Sequence, residues 1–210
     1  MNQMELIESL SKDLTPVRFI DRRIGFFFVF LAFLISIVAS VWSLGIWSGI
    51  LDLTAPLAYY AFQAFFLVLG LTAAYSTVSM ANPGVGRRSV VTSVLILAGS
   101  VLPFSAIMSL VLHLEATPLS HNHLLSCSAS GLAFGGVVGA ALLFWLRRGA
   151  PVAPRRAGLH MGVAMGALGT VASALACPIT TMEHVGLAHT APVLLGGLLG
   201  YMFAPRLISW

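Results

Sequence analysis

Two cysteines and six histidines carry most of the chemistry open to this chain of 210 residues. Cys127 follows His121-Asn122-His123, and Cys177 stands in Ala176-Cys177-Pro178, ahead of Glu183-His184 and His189. Thiols can cap apolar helices as small buried hydrophobes or close a permanent disulfide. They can also open and close as a redox pair once their Cα atoms come within about 7 Å. Spacing alone leaves all three open. The histidines His121, His123, His184 and His189 add another option, since imidazole with thiolate makes a zinc- or copper-type donor set. No Cys-x-x-Cys or His-x-x-x-His signature is present. Isolated surface histidines are therefore the favoured reading, with a metal still able to hold or attack the thiolates.

What positions these groups is set by composition. The chain is 58% hydrophobic and 9% charged, with a mean hydropathy of +0.95, whereas about a quarter of the residues of a soluble domain are charged. Six apolar runs, at 24–44, 57–77, 90–112, 125–146, 159–176 and 185–204, each approach the ~20 residues that cross a bilayer as a helix. The expected fold class is all-α, an integral membrane bundle of six transmembrane helices. Short Pro- and Gly-containing links such as Asn82-Pro83-Gly84 and Gly149-Ala150-Pro151 join the runs. Residues 1–23 form a polar N-terminal segment and 24–210 a membrane domain with no interior boundary. The first twenty residues lack the basic-then-apolar order of an export signal, so the N-terminus is expected to stay on the chain.

Charge orients the bundle. All eleven Lys and Arg fall in four places: Lys12, Arg18, Arg22 and Arg23; Arg87 and Arg88; Arg147, Arg148, Arg155 and Arg156; and Arg206. With six spans these share one side, and the positive-inside rule makes that side, with both termini, cytoplasmic. The outer side receives Asp52, Glu115, Glu183, both cysteines and five histidines, His160 being the exception. Cys127 opens the fourth span and Cys177 closes the fifth, at one depth on the oxidising side. Trp42, Trp47, Tyr59 and Tyr60 are expected in the outer aromatic belt, and Tyr75, Trp145, Tyr201 and Trp210 in the inner one. This topology accounts for the pI near 9.6 without nucleic acid, for which no clustered basic face exists.

Other classes fare less well. No Asp, Glu, Lys or Arg falls within the apolar runs, where Gln63 is the clearest polar residue. Transport and proton pumping need an ionisable group at depth. A thiol oxidoreductase feeding quinone relays between two cysteine pairs, and a single pair is present. A metal-binding membrane protein using the outer His and Cys residues is the other alternative.

Packing signals complete the frame. The first span is rich in phenylalanine (Phe26, Phe27, Phe28, Phe30, Phe33), as suits a lipid-facing helix. Glycine recurs every fourth residue at 131/135/139, 158/162/166 and 196/200, and such faces let helices approach closely. Close packing of spans four and five would bring their outer ends together. Pro103 and Pro192 are expected to kink the third and sixth spans. At the N-terminus Leu6, Ile7, Leu10 and Leu14 fall near helical spacing before Pro16. That helix suits either a lipid interface or a partner's groove.

Several stretches together resemble one family. Leu10-x-x-x-Leu14-x-Pro16-Val17-Arg18, the Arg147-Arg148-Gly149-Ala150-Pro151 loop, the small-residue helix ending Ala176-Cys177-Pro178, and Pro205-Arg206-Leu207-x-x-Trp210 look like NrsF proteins. These are six-span anti-sigma factors acting on sigma-F-type extracytoplasmic-function (ECF) sigma factors. Members often carry a tryptophan at the head of the last span, where this chain reads Leu187-Ala188-His189. The resemblance implies a bacterial inner-membrane protein whose partners are a sigma factor and membrane lipid, with no nucleic acid and no enzymatic activity. It implies that Leu6, Leu10, Leu14, Pro16 and Val17, with Asp13 and Arg18 for polar contacts, hold the sigma factor. Cys127 and Cys177 match the family's outward-facing pair, which senses oxidative or heavy-metal stress. No resident cofactor is implied, only transient heavy-metal binding at the cysteines.

Overall fold

The computed structural model describes residues 3–12, 20–83, 90–112 and 121–208. Asp13, Leu14, Pro16, Val17, Arg18, Arg87, Arg88, Glu115 and Trp210 lie outside the described residues, as do the side chains of Leu10 and His121. Every regular element described is helical: α1 (Gln3–Lys12), α2 (Arg22–Leu44), α3 (Ser48–Leu51), α4 (Leu57–Met80), α5 (Val90–Gly99), α6 (Val101–Val111), α7 (His121–Arg147), α8 (Pro154–Ala174), α9 (Met182–His184), a π-turn (Val185–His189) and α10 (Ala191–Ile208). Five stretches are long and apolar enough to cross a membrane: α2, α4, α7 from Asn122, α8, and Met182–Ile208, which unites α9, the π-turn and α10. This is the helical bundle of a multi-pass membrane protein.

The third apolar run departs from a single helix. It forms α5 and α6, of 10 and 11 residues, separated at Ser100. Pro103 has no N–H to give the Gly99 carbonyl, and its ring crowds that oxygen. At Ser100 the N–H is shared between the carbonyls of Ile96 and Leu97, and the hydroxyl donates to that of Leu97.

α8 is the axis of the bundle. Its apolar window is 83% buried, against 28–39% for the other four, because its small residues let neighbours close on every side. A Cβ at Gly158, Gly162 or Gly166 would overlap the carbonyl oxygen of Gly200, Gly196 or Pro192 on α10. Farther along the same helix, one at Gly169 would overlap the carbonyl of Gly131 on α7. The glycine repeats are thus the contact faces, with backbones touching where side chains would have kept them apart.

α2 turns Gly25, Val29, Ala32, Ser36 and Ser40 inward. Ser36 donates to the Phe134 carbonyl and Ser40 to that of Ala172, each at 2.8 Å. Phe27 and Phe30 face outward as expected, while Phe26, Phe28 and Phe33 pack partly against the core. Trp42 is 90% exposed, and Tyr60, Tyr75 and Tyr201 are exposed too. Tyr59 and Trp145 are not. Both are buried, because a carbonyl within reach satisfies each polar tip: the Tyr59 hydroxyl donates to Ala174 at 3.2 Å, and Trp145 Nε1 donates to Val78 at 3.2 Å.

One end of the bundle gathers the described basic residues and is tied by backbone. Asn82 Oδ1 accepts the Ile20 N–H at 2.9 Å and its amide donates to the Ile20 carbonyl at 3.1 Å. Next to it, the Ala81 carbonyl accepts the Ala150 N–H at 2.8 Å, and Gly149 lies flat against Ala81. The start of α2, the end of α4 and the α7–α8 loop therefore meet at one point.

Candidate functional site

The opposite end holds the cysteines. α8 stops at Ala174, and its last carbonyls are taken in turn. Ser173 accepts the Ala176 N–H, Ala174 accepts the Cys177 N–H at 3.1 Å, and Leu175 accepts the Trp47 N–H at 2.9 Å. Pro178 forbids continuation. Cys177 is fixed on this tight turn, and Cys127 lies in the second turn of α7, which the Gly131–Gly169 contact draws against α8. Both are free thiols, with the sulfurs 3.8 Å apart. The two residues singled out on spacing alone are adjacent.

His184 and His189 join them for a reason that α-helical spacing hides. Five residues apart on an α-helix, two side chains diverge by about 140°. The π-turn rehangs the backbone to i→i+5 bonds, so the two rings meet edge to face, 5.1 Å between centroids. Thr181 opens the segment, its hydroxyl accepting the His184 N–H. Pro192 cannot bond back to Ala188, and the exposed carbonyls are satisfied from neighbouring helices. Ser128 on α7 donates to Ala188 at 3.0 Å, and Thr170 on α8 donates to His189 at 2.9 Å.

His184 Nε2 stands 3.3 Å from Cys177 Sγ, and one donor atom from each of Cys127, Cys177, His184 and His189 lies within 4.8 Å of all the others. These histidines are not surface residues: they are 2% and 4% exposed, because the π-turn faces the bundle. His189 Nδ1 is buried without a hydrogen-bond partner. The Cys127 hydrogen bond and then the two imidazoles hold the Cys177 thiol well below its ordinary value, although burial pushes it up. His123 does not join the cluster. It is exposed, on the wall of a cavity of about 260 Å³ that also reaches Leu44, Ser126, Cys127, Ser130 and Cys177. That cavity is an open path to both sulfurs.

Two further polar groups lie near the cluster. Glu183, expected on the outer surface, is buried at the head of the last span, where one carboxylate oxygen accepts the Ser109 hydroxyl of α6 and the other has no partner. Gln63 donates to the Tyr59 hydroxyl and the Val171 carbonyl. It lines a pocket of about 20 Å³ shared with Cys177 and His189, room for one water. Met4, Leu6 and Ile7 of α1 are exposed.

Compared with known proteins, the chain matches the model of the NrsF family, described as negative regulator of sigma F, over residues 10–210. No curated protein and no solved structure matches it.

Proposed function

Because the chain belongs to the NrsF family, the negative regulators of sigma F, we propose that it is a bacterial inner-membrane anti-sigma factor switched by its two thiols. It holds an ECF sigma factor of the sigma-F type on residues 1–23 and releases it when Cys127 and Cys177 are oxidised. The observation that carries the switch is the 3.8 Å separation of two free thiols on the tightly packed α7 and the turn leaving α8. Oxidation passes two electrons and two protons to an oxidant such as a peroxide. It draws the sulfurs from 3.8 Å to about 2.0 Å, which pulls the end of α8 toward α7.

The energy suffices. Moving an equilibrium from 1:99 to 99:1 takes about 5.5 kcal/mol. At about 1.4 kcal/mol per 30 mV for a two-electron couple, roughly 120 mV of differential poise supplies it.

Chain tracing favours six crossings. α4 ends at the basic end, at Asn82, whereas α7 begins at the cysteine end. The intervening chain must traverse the bundle, and α5 with α6 is the apolar stretch available for it. The basic end then faces the cytoplasm, with lipid around the exposed apolar faces. On α1, Leu6 with Met4 and Ile7 forms an open apolar surface for the sigma factor. Leu10, Leu14, Pro16 and Val17 extend it, with Asp13 and Arg18 for polar contacts. Deleting residues 1–20 should raise transcription from sigma-dependent promoters and abolish co-purification of the sigma factor. Unchanged sigma activity would overturn the reading.

A further inference from the structure

A thiol switch does not need two imidazoles gathered with both sulfurs. We propose that Cys127, Cys177, His184 and His189 form a four-coordinate site for a resident divalent d10 cation of the zinc kind. This cation holds the thiol pair in its reduced geometry. The inference uses the cysteines of the reading above but is independent of the sigma factor.

The donor set is two sulfurs and two imidazole nitrogens, the tetrahedral combination that zinc-like ions prefer. Bonds of about 2.3 Å to sulfur and ~2.05 Å to nitrogen place two sulfurs about 3.8 Å apart and a sulfur and a nitrogen about 3.5 Å apart. The chain holds its sulfurs at 3.8 Å and the Cys177–His184 pair at 3.3 Å before any ion is considered. The widest donor separation, 4.8 Å, needs to contract by about 1.3 Å to reach the sulfur–nitrogen distance of such a site. His189 Nδ1 is a buried polar atom with no partner, which leaves that ring free of any competing tether.

Charge selects the ion. Two thiolates and a divalent cation sum to zero, the form that a buried site tolerates. A monovalent soft cation would leave a net negative charge beside the buried Glu183 carboxyl. The cavity that opens onto both sulfurs gives the ion a way in. The backbone is the independent observation. An ordinary α-helix would have turned His184 and His189 apart, whereas the π-turn, tied by Ser128 and Thr170, brings them together. Sulfurs bound to one ion at this spacing cannot close a disulfide, so cation and oxidant exclude each other.

The test uses the full-length reduced protein in detergent micelles, titrated with Zn²⁺ and, for its spectrum, Co²⁺. One ion per chain is expected, with thiolate-to-cobalt charge-transfer and tetrahedral d–d bands, and at least a ~10-fold slowing of thiol alkylation by bound Zn²⁺. His184→Ala and His189→Ala should each weaken Zn²⁺ binding by about tenfold or more while peroxide still links Cys127 to Cys177. His123→Ala should bind as the parent does. Absence of stoichiometric binding, a cobalt spectrum without thiolate bands, or a His184→Ala/His189→Ala double variant that binds as tightly as the parent would overturn the proposal. The cobalt spectrum requires no variant to fold. Oxidant-driven sigma release without cation binding would sink this inference alone, and cation binding without sigma capture would sink only the anti-sigma reading.

Discussion

At the residue scale the two thiols are unequal. Cys177 is buried, faces two imidazoles and receives the Cys127 hydrogen bond. A lowered thiol value means that the thiolate persists as pH falls. Alkylation of Cys177 in the cation-free protein should therefore stay nearly flat from neutral pH into the acid range. In Cys127→Ala the rate should instead climb with pH toward the ordinary thiol range, and in His184→Ala it should move the same way by a smaller step. Mass spectrometry of the Cys177 peptide across pH checks this, and identical profiles would remove the imidazole from the argument. The cysteines themselves were legible in the sequence, because two sulfurs at equal depth in an apolar chain leave few alternatives. The His184–His189 pair was not, since α-helical periodicity puts residues five apart on different faces. Glu183 was read as a loop acid for a related reason: its partner Ser109 lies 74 residues away, beyond any local pattern.

Elements explain why the cluster holds together. The π-turn survives because hydroxyls on α7 and α8 reach its free carbonyls. Thr170→Val keeps the shape and removes one of them, leaving the buried His189 carbonyl unpaired at a cost of about 1–3 kcal/mol. Thermal unfolding in detergent should show that loss, together with weaker Zn²⁺ binding. A variant with parental stability would mean that the hydroxyl is dispensable. Gly162→Val tests α8 against α10: its Cβ would overlap the Gly196 carbonyl, so the backbones must separate and the melting temperature should fall well beyond that of Thr170→Val. The glycine repeats announced these faces in the sequence. The break in the third run was only hinted at by Pro103, because whether a proline bends a helix or divides it depends on what can satisfy the carbonyl it abandons.

Across the whole molecule, the sulfur cluster and the N-terminal arm sit at opposite ends of one pair of helices. α7 begins beside Cys127 and α8 ends just before Cys177. Their shared loop rests on Ala81, next to the Asn82 side chain that grips Ile20 at the root of the arm. A shift of α7 against α8 thus reaches the arm through three adjacent contacts. Asn82→Ala should leave Cys127–Cys177 oxidation unchanged while blunting the response of sigma activity to oxidant. An undiminished response would place the coupling elsewhere. The central claim is that the oxidation state of this cysteine pair sets sigma-factor occupancy. Its most direct measurement is the amount of sigma factor retained by the membrane-embedded protein before and after peroxide, in the parent chain and in Cys127→Ser and Cys177→Ser. The parent should lose most of its sigma factor on oxidation and regain it on reduction, and both serine variants should retain it throughout. Equal release from the parent and the serine variants would contradict the claim.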